Sequence, residues 1–329
     1  MKIAVFSTKP YDRRSFEAAD GAHLHDWTWI EARLDPQTAP HAHGHDAVCA
    51  FVNDDLSRPV LETLARGGTR FVAMRCAGFD KVDLDAAREL NVQVGRVPAY
   101  SPHAVAEHAL ALTLCLNRRL READARIQNN NFALEGLLGF DLYGKTVGIV
   151  GTGKIGLCAI RIFLGFGCRV LCADPYPHPD LAHHDVQLVE LPELLAQSDI
   201  VSLHCPLMPA TKHLINAATL SAMKRGAFLI NTSRGGLIDT QAAVEALESG
   251  QLGALGLDVY EHEGPLFFED RSGEARSDEL FARLIAHPNV LVTGHQAFFT
   301  REALDNIAQT TLANLNGWET SGSCPNPVE

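Results

Sequence analysis

Short apolar runs alternate with longer amphipathic segments along almost the whole chain. In parallel sheets, strands that are buried on both faces are continuous apolar runs, and the connection to the next strand is usually a helix. The alternation therefore predicts an α/β protein. In the first hundred residues it predicts helices at 59–66 and 84–90 and strands at 2–7, 47–51, 70–74 and 93–96.

A long helical segment follows, from Pro102 to about Arg126, with Ser101 as its N-cap and Pro102 as its first helical residue. Apolar side chains surround most of the circumference of its first half, which a single core-facing stripe does not explain. We therefore expect this helix to be buried on two sides, between domains or between subunits.

The alternation begins again at Lys145. It predicts six strands, at 146–150, 169–173, 200–204, 228–231, 253–258 and 290–293, and a last helix at 299–315 that could pack back on the first domain. Six parallel strands with helices between them are the size of a complete dinucleotide fold. A length of 329 residues also favours two cores over one. The pattern predicts two doubly wound parallel-sheet domains.

Charge and composition exclude several classes of protein. The 28 basic and 40 acidic side chains give a formal charge of −12, which disfavours binding to nucleic acid and to anionic membranes. The first apolar run is too short for a signal peptide, and none approaches the roughly 18–20 residues of a membrane helix. The 8 cysteines show no CxxC pair and no zinc spacing. We expect a cytoplasmic protein with reduced thiols, without a disulfide or a metal.

A glycine-rich loop indicates the cofactor. Gly151-Thr-Gly153-Lys-Ile-Gly156 follows an apolar strand and opens a helical pattern, the context in which this motif binds the pyrophosphate of a dinucleotide. Asp174 ends the next strand, eighteen residues after Gly156. A carboxylate there can accept both ribose hydroxyls and repels a 2′-phosphate, so we expect NAD and not NADP. The alternative is that Asp174 is only a turn residue before Pro175.

Three further loops follow predicted strands and carry charged side chains. Arginine binds carboxylates bidentately, and histidine is the side chain whose ordinary pKa lies nearest to pH 7, so Arg234 and His295 are typical of a site that binds an acid and transfers a proton. The third loop holds Glu261 and Glu263, and the residues alone do not show which of them would position His295. The carboxyl ends of parallel strands share one edge of a sheet, so we expect the three loops to converge there.

Several longer motifs carry a family resemblance: Arg75-Cys-Ala-Gly-Phe-Asp, Pro98-Ala-Tyr-Ser-Pro, Val105-Ala-Glu-His, His204-Cys-Pro-Leu, Leu266-Phe-Phe-Glu-Asp and Gly294-His-Gln-Ala-Phe. With the glycine loop, they make the chain similar over essentially its whole length to the D-specific 2-hydroxyacid dehydrogenases. Within that family it most resembles the bacterial fermentative D-lactate dehydrogenases. The resemblance implies reduction of pyruvate to D-lactate by NADH.

The resemblance also implies roles for particular residues. His295 matches the acid/base, Glu263 the carboxylate paired with it, and Arg234 a residue that binds substrate. The backbone around Ala77 and Gly78 would hold the substrate carboxylate. Further substrate contacts are expected at Tyr100 and Phe299, and further NAD contacts at Lys154, Ile155, Cys205, Pro206, Thr232, Ser233, Asp258 and His295. The glycine pair after Arg234 departs slightly from the family, which more often has Gly-Ala.

For the whole chain, the resemblance implies a flavodoxin-like substrate domain of residues 1–100 plus 299–329 and a Rossmann NAD-binding domain of residues 101–298. It implies a cleft that closes, and a homodimer or homotetramer formed through the long helix after Pro102.

Other interpretations stay open. Glyoxylate and hydroxypyruvate reductases are alternatives within the enzyme class, and some relatives bind NAD as transcriptional corepressors. Formate-type relatives lack the glutamate partner, so Glu263 argues against them. Arg234 could instead pair with Asp239, and Tyr100 and Phe299 could be ordinary hinge packing.

Overall fold

A computed structural model describes residues 1–21, 24–274 and 277–328. The chain forms two compact units, which we call unit 1 (Met1–Ser101 with Phe298–Glu329) and unit 2 (Pro102–Ala297). Among the described residues, no helix combines the length and the apolar character needed to cross a membrane.

The strands are β1 (Lys2–Val5), β2 (Asp26–Trp29), β3 (Ala47–Ala50), β4 (Phe71–Met74), β5 (Gln93–Arg96), β6 (Thr146–Val150), β7 (Arg169–Ala173), β8 (Gln187–Leu188), β9 (Ile200–Leu203), β10 (Ala227–Asn231), β11 (Leu252–Leu257) and β12 (Val290–Val292). The helices are α1 (Pro10–Ala19), α2 (Arg58–Arg66), α3 (Leu84–Glu89), α4 (Pro102–Asn117), α5 (Leu120–Gln128), α6 (Lys154–Gly165), α7 (Leu191–Gln197), α8 (Ala217–Ala222), α9 (Thr240–Glu248), α10 (Glu279–Ala286) and α11 (Arg301–Ser321).

Unit 1 contains a five-stranded sheet in the order β2-β1-β3-β4-β5, and its strand pairs are parallel. This is the flavodoxin-like order. Helix α11 returns to this unit and packs Ala308, Leu312 and Leu315 in one core cluster with Ile3 and Phe71.

The sequence pattern missed two elements of unit 1. Strand β2 alternates polar and aromatic residues, Asp-Trp-Thr-Trp, and lies at the sheet edge beside β1 only, so it is not an apolar run. Helix α1 buries only Asp12 and Phe16 and therefore shows little apolar periodicity.

Unit 2 contains a seven-stranded sheet in the order β12-β11-β10-β9-β6-β7-β8, again with parallel pairs. The order on either side of β6 is that of a dinucleotide-binding fold with one additional strand. The prediction of six strands was wrong, because β8 has only two residues and both are exposed. The prediction of two parallel-sheet α/β domains is confirmed.

The long helix predicted from Pro102 is broken, so that prediction was also wrong. Helix α4 ends at Asn117 and α5 begins at Leu120, because Arg119 adopts a left-handed conformation with a φ of 51°. The Arg119 guanidinium donates a hydrogen bond to the Asn289 side chain at 2.5 Å, which holds the break against the loop before β12. Hydrophobic periodicity continues across the break and does not reveal it.

Candidate active site

Three neighbouring strands of unit 2 deliver the predicted catalytic residues to one edge of the sheet. β10, β11 and β12 are adjacent and parallel, and Arg234, Glu263 and His295 lie in the loops that follow them. The carboxyl edge of such a sheet is where α/β proteins bind ligands. The expected convergence of the three loops is therefore present.

His295 and Glu263 form a close pair. His295 Nδ1 lies 2.7 Å from Glu263 Oε1, and the two side chains are only 14% and 15% exposed. The second carboxylate oxygen of Glu263 accepts a hydrogen bond from the Tyr260 backbone N–H at 3.0 Å. Because both oxygens have partners, the orientation of the glutamate relative to the imidazole is fixed.

The backbone that carries His295 is unusual. His295 has a φ of 54°, a left-handed conformation that is uncommon outside glycine and is typical of functional sites when it occurs. The fully buried Asp258 supports it: its carboxylate accepts the N–H groups of Gln296 at 2.9 Å and Ala297 at 2.8 Å, and the Thr293 hydroxyl at 2.6 Å. These bonds fix the chain on both sides of the histidine.

The loop of Arg234 packs directly on the loop of Glu263. A Cβ at Gly235 would lie 2.1 Å from the Tyr260 carbonyl carbon, so only glycine fits there. A Cβ at Gly236 would meet the Leu207 side chain at 3.1 Å, a contact that a flexible leucine can relieve. The structure thus explains why the family can carry Gly-Ala at this pair. Asp239, the alternative partner considered for Arg234, caps α9 by accepting the Ala242 N–H at 3.1 Å.

Each glutamate of the third loop has its own histidine. Glu261 Oε1 lies 2.6 Å from His213 Nε2, whereas Glu263 contacts His295. The geometry therefore decides between the two glutamates, which the residues alone did not. Sequence reasoning missed His213, although its place in the connection after β9 could have indicated the same sheet edge.

The glycine loop after β6 fits a dinucleotide pyrophosphate. Gly151 has a φ of 94°, and a Cβ there would lie 2.6 Å from the Cys205 backbone nitrogen. A Cβ at Gly156 would lie 2.1 Å from the Gly151 carbonyl oxygen, so this glycine allows close packing of helix and strand. Gly153 is the N-cap of α6, and a Cβ there would meet no atom within 4 Å. The helix N-terminus is therefore open to an anion, with Lys154 exposed and Ile155 half-buried beside it.

Asp174 follows β7, next to this loop. Its carboxylate accepts hydrogen bonds from the Thr152 N–H at 2.7 Å, the Thr152 hydroxyl at 2.9 Å and the Tyr176 N–H at 2.8 Å. Burial alone would raise the pKa of Asp174, but these hydrogen bonds outweigh it and hold the pKa below the ordinary value of 3.8. A carboxylate offers roughly four acceptor positions, so the bonds leave about one for a ribose hydroxyl, fewer than the sequence suggested.

The loops after β9 and β10 meet beside the glycine loop. The Ser233 hydroxyl donates to the Cys205 carbonyl at 2.6 Å, which joins them, and Pro206 is exposed beside this contact. Thr232 is buried, and its hydroxyl has no hydrogen-bond partner within the described residues. A buried hydroxyl without a partner is costly, and a bound dinucleotide amide would satisfy it.

In unit 1, Ala77 and Gly78 lie in the loop after β4. The Ala77 carbonyl accepts a hydrogen bond from the Arg96 guanidinium at 3.0 Å, and the Gly78 carbonyl accepts one from the Cys76 thiol at 3.2 Å. Because both carbonyls are held by side chains, the conformation of this loop is set before any ligand binds.

Tyr100 and Phe299 belong to an aromatic cluster of unit 1 that the sequence did not reveal. The Phe298 ring is buried, with the rings of Phe51 and Tyr100 each at 6.1 Å and that of Phe299 at 6.0 Å. Phe299 is 48% exposed and contacts Tyr11 edge to face at 4.7 Å. Unit 1 thus presents aromatic surface where Phe299 is exposed.

Unit 1 also buries the charged side chain of Arg75. The Arg75 side chain is 1% exposed, donates to Asp12 at 3.3 Å and to the Ser7 carbonyl at 2.9 Å, and lies over the Phe51 ring. Its surroundings make Arg75 part of the core of unit 1 and not an accessible carboxylate-binding group.

Comparison with known proteins agrees with this geometry. A family model described as the NAD-binding domain of D-isomer specific 2-hydroxyacid dehydrogenases matches residues 110–297. The D-lactate dehydrogenase of Escherichia coli is 52% identical over the full length of both chains.

Two solved structures extend the likeness to the whole fold. The pyruvate reductase of Chlamydomonas reinhardtii is 46% identical, with a TM-score of 0.93, and the match covers 99% of this chain and 98% of that one. The D-lactate dehydrogenase of Lactobacillus jensenii, solved with NAD⁺, is 31% identical with a TM-score of 0.83 over the full length of both. The chain therefore belongs to the D-isomer specific 2-hydroxyacid dehydrogenases and is an NAD-dependent enzyme of that family.

Proposed function

We propose that this enzyme reduces pyruvate to D-lactate, with His295 as the acid/base. The observation that carries the proposal is the His295–Glu263 pair, at 2.7 Å, in a loop that neighbours that of Arg234 on one sheet edge. Similarity to a D-lactate dehydrogenase and to a pyruvate reductase supports the choice of substrate.

The residues of unit 2 that would hold the cofactor are those of the glycine loop, Asp174 and the buried Thr232 hydroxyl. When bound, NADH supplies the hydride for the reduction. The open N-terminus of α6 would bind the pyrophosphate through backbone N–H groups. Further contacts are proposed at Lys154, Ile155, Cys205, Pro206, Ser233, Asp258 and His295.

In this proposal His295 moves one proton at a defined atom. An ionised glutamate only accepts hydrogen bonds, so Nδ1 of the imidazole carries the hydrogen that faces Glu263. Nε2 is then the nitrogen that gives its proton to the keto oxygen during reduction and takes it back during oxidation. Glu263 stabilises the protonated ring by its charge and prevents the ring from rotating.

Arg234 would bind the carboxylate of the substrate. Its guanidinium fork matches a carboxylate in plane, which also fixes where the neighbouring keto carbon lies. From unit 1, the backbone at Ala77 and Gly78, the Tyr100 hydroxyl and the Phe299 ring are proposed as further substrate contacts.

In this proposal the exposed Phe299 ring limits the room for the side chain of the keto acid, so we expect a preference for small substrates. A pocket that is short by one methylene discriminates by about 1–3 kcal/mol, so 2-ketobutyrate and longer unbranched keto acids should be slower than pyruvate by roughly 10–200-fold per step. Oxaloacetate carries a second carboxylate, which would need a cation besides Arg234. It should be a poor substrate, because Arg75, the candidate for that cation, is buried and paired with Asp12. The measurement is kcat/KM for glyoxylate, hydroxypyruvate, pyruvate, 2-ketobutyrate, phenylpyruvate and oxaloacetate, in wild type and in Phe299→Ala.

Two outcomes of this comparison would contradict the proposal. A higher kcat/KM for glyoxylate or hydroxypyruvate than for pyruvate would assign the enzyme to a different reductase. An unchanged ranking in Phe299→Ala would show that this ring does not limit the substrate.

Asp174 is expected to select NAD by its charge. Because its pKa lies below 3.8, the carboxylate stays ionised throughout the working pH range and repels a 2′-phosphate. Asp174→Ala should weaken NADH binding by about 10-fold and narrow the gap to NADPH, since a hydrogen bond and a repulsion are lost together. Fluorescence titration with both cofactors measures this. A wild-type preference for NADPH would refute it, and Asp180→Ala, another carboxylate beyond β7, serves as the control.

We further propose that the enzyme is a homo-oligomer formed through the segment after α4. Half of the exposed large apolar side chains of the described residues lie between 120 and 143, including Leu134 at 80% and Leu138 at 94% exposure. A concentration of exposed apolar side chains in one segment supports an interface there. Leu138→Glu should lower the mass measured by sedimentation, whereas Leu24→Glu in unit 1 should not. A monomeric wild type would rule out this surface.

The cytoplasmic location stays a prediction.

A further inference from the structure

A second histidine–glutamate pair lies at the same sheet edge as the first. His213 Nε2 is 2.6 Å from Glu261 Oε1, and the Thr240 hydroxyl lies 3.3 Å from Glu261 Oε2. The glutamate is 17% exposed and the histidine 37%. Both oxygens of Glu261 thus have partners, one before and one after the Arg234 loop in the chain.

His213 also holds that loop through its backbone. Its N–H donates to the Gly236 carbonyl at 2.9 Å, two residues after Arg234, and the Ile215 N–H donates to the Leu237 carbonyl at 3.0 Å. His213 itself has a φ of 50°, an uncommon conformation for a residue other than glycine. The connection after β9 is therefore tied to the segment from Gly236 to Leu237 in an unusual backbone geometry.

Glu261 belongs to a second segment that contacts the Arg234 loop. The backbone at Tyr260 and Glu261 packs so closely on Gly235 that a Cβ there would lie 2.3 Å from the Glu261 nitrogen. The Arg234 loop is thus in contact with two segments, and the His213–Glu261 contact joins those segments.

We infer that His213 and Glu261 are positioning residues for Arg234. The inference rests on the proposed role of Arg234 in binding the substrate carboxylate. A misplacement of a binding group by about 1 Å can cost as much as 10²-fold, so the position of Arg234 should be sensitive to this pair. His295 and Glu263 are held by other contacts, through Asp258 and the Tyr260 N–H, so proton transfer should depend little on it.

The test is a separation of KM from kcat. His213→Ala and Glu261→Ala should each raise the KM for pyruvate by about 10-fold, with kcat within about threefold of wild type. Both should weaken inhibition by oxamate, a pyruvate analogue that cannot be reduced, to a similar extent. Glu261→Gln, which keeps an acceptor for His213, should raise KM less than Glu261→Ala. The pH profile of kcat and the binding of NADH should not change. Glu263→Gln is the matched control, because it should move the pH profile instead.

Arg234→Ala distinguishes the two ways in which the inference could fail. If Arg234→Ala raises the KM for pyruvate but the His213 and Glu261 variants stay within about twofold of wild type, the positioning inference is wrong and the role of Arg234 stands. If Arg234→Ala also leaves KM unchanged, both are wrong. A fall in kcat with a shifted pH profile in His213→Ala would show that the pair acts on His295, which also overturns the inference. Glu261→Gln and a thermal melt identify variants that have simply lost their fold.

Discussion

Replacement of His295 by alanine is expected to lower kcat for pyruvate reduction by about 10²–10⁴-fold, the usual contribution of a positioned acid/base. The side chain is half of a 2.7 Å pair with Glu263, and its backbone is held in a left-handed conformation by the bonds of Asp258. The measurement is NADH oxidation with saturating pyruvate. His183→Ala, which removes an exposed histidine of unit 2, is the control. A His295→Ala enzyme of near wild-type activity would end the assignment.

Replacement of Glu263, the partner of His295, tests the same role through the pH dependence of the rate. Reduction consumes a proton, so its rate should fall as the pH rises. Glu263→Gln removes the charge that stabilises the protonated ring, and it should keep some activity while the profile moves to lower pH. An unchanged profile would show that this pair does not carry the proton.

Replacement of Arg234 by alanine should lower kcat/KM for pyruvate by roughly 10²-fold or more, because it leaves the substrate carboxylate without its charge partner. Arg234→Lys keeps the charge but not the planar fork, so it should lie between alanine and wild type. Arg118→Ala, which removes an exposed arginine just after α4, should be close to wild type. An Arg234→Ala enzyme that retained its KM and kcat would show that the carboxylate is bound elsewhere.

The sequence predicts well those features that depend on buried strands. The strands β6, β7, β9, β10, β11 and β12 are apolar runs, and the loops that matter follow them directly. The glycine motif could be predicted for the same reason, since a tight turn after a buried strand restricts the residue types that fit.

What the sequence did not predict depends on tertiary contacts. Strand β8 has two exposed residues and exists only through its pairing with β7. The break between α4 and α5 depends on the conformation of Arg119 and its bond to Asn289, 170 positions later in the chain. Neither leaves a periodic signal, because the partners are distant in sequence.

Inside the site, the sequence identified residue types more reliably than their partners. Without the family resemblance it could not decide between Glu261 and Glu263, because each needs a histidine that only the fold supplies. Asp258 was expected to contact NAD, yet its carboxylate already binds two backbone N–H groups and the Thr293 hydroxyl. Its contact with NAD stays a prediction, in addition to its support of the His295 loop.

The product that the purified enzyme forms from pyruvate and NADH is the decisive measurement for the proposed reaction. Chiral chromatography of the lactate, measured against the loss of NADH absorbance in the same sample, gives both the stereochemistry and the stoichiometry. We expect D-lactate alone, in a 1:1 ratio to the NADH oxidised, because each carbonyl receives one hydride. Formation of L-lactate, or no oxidation of NADH with pyruvate, would contradict it.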